Sequence, residues 1–265
     1  MQEKLLFFDI DGTIWNEKNE ICDSTVEAIR LARKNGHKTF LCSGRSKAYI
    51  NNPVLLDIGF DGIVSACGMM VEYHNEEIFY KRLSNDIVEE TINDVRKHGC
   101  KPILEGKDYI YMDFDEYAGD YYGDKLRREL GDNIVQIKDT WGKWEVSKVS
   151  CDTTGVDMNE CRRNLEDKYE LIIHSPSVVE MVPKGYSKGT GILKVCEILG
   201  KDVRDTFAFG DSPNDIEMLK TAGISIVMGN GDPYVKTLAD YVTTSVEKDG
   251  SWTACRHFGI IYAEN

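Results

Sequence analysis

The sequence describes an α/β chain in which a doubly wound parallel sheet is interrupted by an inserted α+β segment. Three features say so. Up to about residue 82, short apolar runs alternate with amphipathic stretches in the order β-α-β-α-β; the rhythm then breaks, and it resumes at Lys188. Strands alternating with helices are joined by right-handed crossovers into an open, Rossmann-like sheet covered on both faces. The expected core is therefore residues 1–82 and 185–265, with an inserted domain over 83–184.

Residues 5–10 form a short, largely apolar run, as suits a strand buried on both faces. Residues 24–35 read as a helix, with Ser24 as N-cap and Val26, Ile29, Leu31 and Ala32 as its apolar stripe before Gly36. A strand is expected at 38–42, a weaker helix at 49–55, a strand at 62–65 and a hairpin from 69–72 and 78–80. In the insert, 85–98 is helical, 101–105 and 109–112 are strands turned at Gly106-Lys107, and 115–130 is helical. Residues 144–151 then read as a strand, 156–168 as a helix, and 170–174 with 178–182 as a hairpin around Ser175-Pro176. The core returns with helix 188–199, strand 206–209, helix 213–222 and strand 224–227. No internal repeat or low-complexity linker is visible.

Composition narrows the function. At 265 residues, 42% hydrophobic and 29% charged, the chain can bury a substantial core. Its 32 basic and 45 acidic residues give a net charge of −13, which argues against a general nucleic-acid or anionic-membrane binder and requires a local cation for any anionic substrate. The eight cysteines form no C-x-x-C pair, the N-terminus has no basic region or cleavage site, and no apolar stretch approaches membrane-span length. A cytoplasmic protein with reduced thiols is expected.

Four short motifs carry the chemistry. Asp9-Ile10-Asp11-Gly12-Thr13 sets two carboxylates on the turn after the first strand, where open α/β sheets bind ligands. An Asx-type turn would explain it equally well in isolation; a calcium loop would not, since the glycine falls too early and no helix precedes it. Ser43-Gly44-Arg45 ends the next strand, with a hydroxyl and an approachable backbone N–H. Lys188 opens a helix, a position unfavourable for a cation without an anionic partner. Gly210-Asp211-Ser212-Pro213-Asn214-Asp215 joins a strand to a helix; a simple N-cap would account for Asp211 or Ser212 but not for Asn214 and Asp215. All four lie at equivalent strand ends and can converge. Converging aspartates raise one another's pKa unless neutralised, which implies a divalent cation, and oxygen-only ligands point to Mg²⁺.

In order and spacing, D-x-D-G-T, S-G-R, K-G and G-D-x-x-N-D resemble the haloacid dehalogenase (HAD) superfamily of phosphatases, specifically the Cof-like group with a type C2B cap. The resemblance spans nearly the whole chain. It implies that Asp9 is a nucleophile forming an aspartyl-phosphate and a Mg²⁺ ligand. Asp11 would be the acid and base, with its backbone carbonyl on the metal. Ser43, Asn214 and the N–H groups of Ile10 and Gly44 would hold phosphate, and Lys188 would bridge nucleophile and phosphoryl oxygens. Asp211 and Asp215 would bind or support Mg²⁺. The substrate implied is a small phosphorylated metabolite, a sugar phosphate or phosphorylated cofactor, with neither nucleic acid nor membrane as partner. The sequence assigns no oligomeric state. One departure is Cys67-Gly68-Met69, where such phosphatases often read N-G-A.

Other readings fare less well. A phosphomannomutase-type mutase shares the D-x-D-G-T start and cap type, but the contiguous motif from Gly210 to Asp215 is closer to the hydrolases. A non-catalytic phosphate-binding protein would be expected to have lost Asp9 or Asp11. A dinucleotide site needs a third glycine where Gly229-Asn230-Gly231 is followed by Tyr234. The acidic, tyrosine-rich stretch 108–124 is either a substrate-reading edge of the insert or a solvated face.

Overall fold

A computed structural model describes residues 2–157, 159–175 and 177–262. The chain splits into two compact units: Met1–Gly44, Asn52–Tyr80 and Tyr186–Asn265 form one, and Arg45–Asn51 with Lys81–Gly185 the other. The chain enters the first unit through β1 (Leu5–Phe8), whose four residues are all buried. Next come α1 (Asp23–Lys34), β2 (Lys38–Cys42), α2 (Pro53–Leu56), β3 (Gly62–Ser65) and the hairpin of β4 (Met70–Tyr73) and β5 (Glu76–Tyr80).

Two local expectations need correction here. Ser24 is not the N-cap: α1 starts one residue earlier, after Cys22, and the Ser24 hydroxyl instead donates to Asp249 Oδ1 at 2.6 Å. Asp23 in the first turn and Arg33 and Lys34 in the last suit the helix dipole, which supports the helix without a hydroxyl cap. The helix expected at 49–55 divides into a 3₁₀ turn, Lys47–Tyr49, and α2. Pro53 disfavours a helical residue before it, and Asn52 sits extended there, its side chain accepting from the N–H groups of Val54 and Leu55.

The second unit contains α3 (Asn85–Lys97), β6 (Lys101–Gly106), β7 (Ile110–Tyr111), α4 (Tyr121–Leu130), β8 (Ile134–Val135), β9 (Val146–Asp152), α5 (Asn159–Leu165), β10 (Tyr169–Ser175) and β11 (Val178–Pro183). Its sheet runs β10-β11-β9-β6-β7-β8 and is antiparallel except between β7 and β8. One cluster packs α3 and α5 residues Val88, Ile92, Cys161 and Leu165 on Leu104, Val149 and Cys151; another packs Leu126 and Leu130 of α4 on Ile103 and Ile110. Helix α4 begins six residues later than the expected 115, because Gly119 takes a φ of +73° and Asp120 caps the helix by accepting from the N–H groups of Tyr122 and Gly123. The acids of 108–124 are largely engaged inside the unit: Asp113 and Glu116 with Arg96, Asp115 with Lys138, Asp120 with Lys101. That pairing favours structure over substrate reading. Pro176 of the expected 175–176 turn, and Met158 within the expected helix 156–168, lie outside the described residues; α5 itself spans Asn159–Leu165.

Back in the first unit, the chain forms α6 (Lys188–Leu199), β12 (Thr206–Gly210), α7 (Ile216–Thr221), β13 (Ile224–Val227), α8 (Pro233–Lys236), β14 (Tyr241–Val242) and α9 (Gly250–His257). The helix expected from 213 starts as a 3₁₀ turn, Pro213–Asp215, before α7. The sheet order is β14-β13-β12-β1-β2-β3-β4-β5, parallel from β14 to β3 and antiparallel beyond. Leu5, Phe7, Phe40, Ile192, Val195, Met218 and Leu219 belong to one buried cluster, which seats α6 and α7 on the sheet. β1 lies between β2 and β12, so the order of strands reverses there, and the carboxyl ends of these three strands present Asp9, Ser43 and Asp211 side by side. No described helix is long and apolar enough to cross a membrane.

Candidate active site

Asp9 leaves β1 with its N–H still donating to Phe209 O of β12 at 2.9 Å, so its backbone is fixed by the sheet. The residue is 3% exposed. Lys188 Nζ donates to Asp9 Oδ1 at 2.5 Å, to Asp215 Oδ1 at 2.7 Å and to Asn214 Oδ1 at 3.4 Å. Lys188 is held there by close backbone packing. Ser187 caps α6 reciprocally with Thr190, and Gly68, at φ +82°, lies so near that a Cβ on it would stand 2.4 Å from Ser187 O. The other Asp215 oxygen accepts from the N–H groups of Asp211 and Ser212 at 2.9 and 3.1 Å, tying the turn after β12 to the lysine.

Carboxylate oxygens of Asp9, Asp211 and Asp215 all lie within 4.8 Å of one another. Burial, then Asp215, then Asp211 push the Asp9 carboxyl well above its ordinary range, against the pull of Lys188. Burial and Asp215 push Asp211 up to about 7. Burial opposes the charge on Lys188, yet Asp215 and Asp9 outweigh it and hold the ammonium well above its usual value. One lysine thus serves too many acids. A hard divalent cation fits this all-oxygen, electron-rich set and would relieve the repulsion.

Asp11 is not one of that trio, although its charge adds to the push on Asp211. Its carboxylate Oδ1 accepts from the indole Nε1–H of Trp15 at 2.9 Å. Gly12, at φ +78°, sits where a Cβ would be 2.4 Å from Asp211 Oδ2, so this position needs glycine twice over. Ser43, 2% exposed, is pinned through its backbone: its N–H donates to Val64 O at 2.9 Å, and its carbonyl accepts from Cys67 N–H at 3.1 Å. Cys67 therefore serves Ser43 through its main chain, from a left-handed conformation (φ +53°), with its side chain buried. Ile10 is buried, and its carbonyl accepts from Ile14 N–H at 3.0 Å and Trp15 N–H at 3.3 Å, which curls the chain back over Asp11. Gly44 is the last residue of its segment in the first unit.

Four contributors were not singled out from sequence. Thr13 Oγ1 donates to Asp211 Oδ1 at 3.3 Å, Ser212 Oγ donates to Asn214 Oδ1 at 2.8 Å, and Trp15 grips Asp11. Asn230 Nδ2 donates to Gly12 O at 2.8 Å while its Oδ1 accepts from Val246 N–H at 2.8 Å. The Gly229-Asn230-Gly231 signal was visible, but it marks a clamp on the turns after β1 and β12: Asp232 N–H donates to Asp211 O at 2.7 Å, and a Cβ on Gly231 would meet the same carbonyl at 2.8 Å.

Residues 6–254 match the haloacid dehalogenase-like hydrolase family. The chain belongs to that family. It is 29% identical to YkrA of Bacillus subtilis (strain 168), named as a phosphatase, over 98% of this chain and 100% of that protein. It is 28% identical to the 5-amino-6-(5-phospho-D-ribitylamino)uracil phosphatase YcsE of the same organism, over 96% of this chain and 95% of the relative. Among solved structures, a HAD subclass IIB sugar phosphatase superposes with a TM-score of 0.82 at 30% identity, covering 97% of this chain and 100% of the other. The protein is accordingly a Cof-like HAD phosphatase.

Proposed function

We propose that this HAD phosphatase is a Mg²⁺-dependent, cytoplasmic enzyme that hydrolyses small phosphorylated metabolites, sugar phosphates or phosphorylated cofactors, through an aspartyl-phosphate on Asp9. The observation that carries this is Lys188 clasped between Asp9 and Asp215 with Asp211 alongside. The relatives, a sugar phosphatase and a ribitylaminouracil-phosphate phosphatase, support the substrate class.

The roles divide as follows. Asp9, Asp211 and Asp215, with the Asp11 carbonyl, would hold Mg²⁺, whose bound charge offsets that of the phosphoryl group. Ser43, Asn214 and the N–H groups of Ile10 and Gly44 orient the phosphate. Lys188 keeps Asp9 aimed and meets the phosphoryl oxygens with positive charge. An Asp9 carboxylate oxygen forms the new bond to phosphorus; the old P–O bond breaks with its electron pair going to the leaving oxygen, which takes a proton from Asp11. Asp11, now a carboxylate, takes a proton from water as that water bonds to phosphorus, and the Asp9–phosphorus bond breaks with its pair returning to Asp9. Splitting hydrolysis in two lowers each barrier. Residues 83–184 serve as a C2B-type cap that excludes water and selects the leaving group.

The test is a screen of phosphorylated metabolites for released phosphate and isomerised product, with Mg²⁺ and with excess EDTA. Phosphate release that EDTA abolishes and Mg²⁺ restores is expected. Sustained hydrolysis in excess chelator, or an Asp9→Asn enzyme that still turns over, would overturn the mechanism.

A further inference from the structure

Trp15 reaches the Asp11 carboxyl through its indole Nε1–H, and that atom is chemically restricted. An indole N–H can only donate. Its 2.9 Å contact with Asp11 Oδ1 makes that oxygen an acceptor whether the carboxyl is ionised or not, and because a carbonyl oxygen accepts better than a hydroxyl oxygen, the contact favours Oδ2 as the carrier of the neutral acid's proton. The contact is also geometrically fixed. Trp15 is 3% exposed, its carbonyl accepts from Gly12 N–H at 3.0 Å, and its backbone bridges Asp11 on one side and Ile21 on the other. Asn16 closes the same loop, its Oδ1 accepting from the N–H groups of Lys18 and Glu20 at 2.9 and 3.0 Å. One residue thus grips the Asp11 segment through its main chain and the Asp11 carboxyl through its ring.

We propose that Trp15 is a positioning residue for the acid/base step: it selects the Asp11 rotamer and commits Oδ2 to carry the proton to the leaving oxygen and later take one from water. This rests on the acid/base role given to Asp11 above. The consequence is selective. Without the indole donor, Asp11 retains its carboxyl but samples orientations in which the proton is misdirected. A leaving group that must be protonated suffers, whereas one that departs as a stable anion does not.

The experiment compares Trp15→Phe with the full-length wild type on glycerol 2-phosphate and on p-nitrophenyl phosphate. A second variant with 3-benzothienylalanine at position 15 keeps the bicyclic shape without the N–H, should Phe leave the loop unfolded. kcat on the alkyl ester should fall on the order of 10-fold, within the range that positioned proton transfer supplies, while kcat on the aryl ester changes by less than about 2-fold. In ¹⁵N-labelled protein, the indole resonance lost in Trp15→Phe should be the one that shifts in Asp11→Ala. Equal losses on both esters, no loss on either, or an indole resonance indifferent to Asp11 would overturn the proposal. Asp11→Asn is the control on the premise: if its loss does not depend on the leaving group, the role of Asp11 itself fails, and a resonance that still responds to Asp11 shows that the contact was correctly placed.

Discussion

Lys188 is buried with its ammonium against Asp9 and Asp215, and removing that charge leaves the acids facing each other. Lys188→Met should abolish turnover and destabilise the cation-free protein by about 3–5 kcal/mol, as loss of one partner from a buried ion pair does; urea unfolding in EDTA measures it. The raised pKa of Asp211, about 7, gives a signed pH effect. An acid whose folded pKa exceeds its unfolded value makes the native state bind the extra proton, so this contribution is fully present below about pH 4 and is lost as pH rises through about 7. A cation must displace that proton. Mg²⁺ affinity should therefore rise with pH up to about 7 and then level off. Calorimetric titration at about pH 6 in buffers of different ionisation heat should show proton release that vanishes at about pH 8; release equal at both values would refute it.

Lys148 of β9, in the second unit, offers a comparable case. It is wholly buried, with Nζ 2.8 Å from Glu180 Oε1 of β11 and 3.3 Å from Glu105 Oε2 of β6, and so cross-links three neighbouring strands. Lys148→Met alone should cost about 3–5 kcal/mol in denaturant unfolding, because two glutamates are stranded together. Replacing all three by apolar residues of similar size should be close to neutral. Single and triple variants losing equal stability would show that the network itself holds the sheet. None of this was legible beforehand, since residues 105, 148 and 180 meet only through strand pairing. The parallel core was legible because β1, β2, β3, β12 and β13 are short apolar runs; Asp9, Ser43 and Asp211 were legible because each sits directly after such a run, and Lys188 because it opens a helix. What escaped were β8, α8, β14 and α9, short elements of which β8 and β14 are ordered by pairing with β7 and β13 and α9 by packing on α1. Trp15 escaped for another reason: an aromatic next to an apolar run reads as core, and only the loop's curl points its N–H at Asp11.

At the level of the whole molecule, the function proposed above gives substrate selection to the second unit. Excising its long segment should lower kcat/KM for the best metabolite far more than for a small aryl phosphate, and equal losses would show that the unit does not select. The excision cannot be made cleanly at one place. Residues 45–51 also belong to that unit, with Ala48 in its cluster and Tyr49 Oη donating to Glu129 Oε2 at 2.8 Å, so the chain crosses between units four times. Redesigning that short segment is part of the experiment.

The pairing of β1 with β12, Leu5 opposite Thr206, bears on synthesis as well as on the finished enzyme. A ribosome exposes Leu5-Leu6-Phe7-Phe8 early, yet the strand that covers one of its edges emerges about 200 residues later, after the whole of the inserted segment. The insert needs no such wait: every strand partner in its sheet has been made by residue 183. Order of completion is thus inverted relative to order of translation. The nascent chain carries a finished inner unit and an open apolar strand edge at once, the kind of surface that recruits chaperones or aggregates. Released chains ending at about residue 190 should accordingly resist protease across the insert while being cut in the first 80 residues.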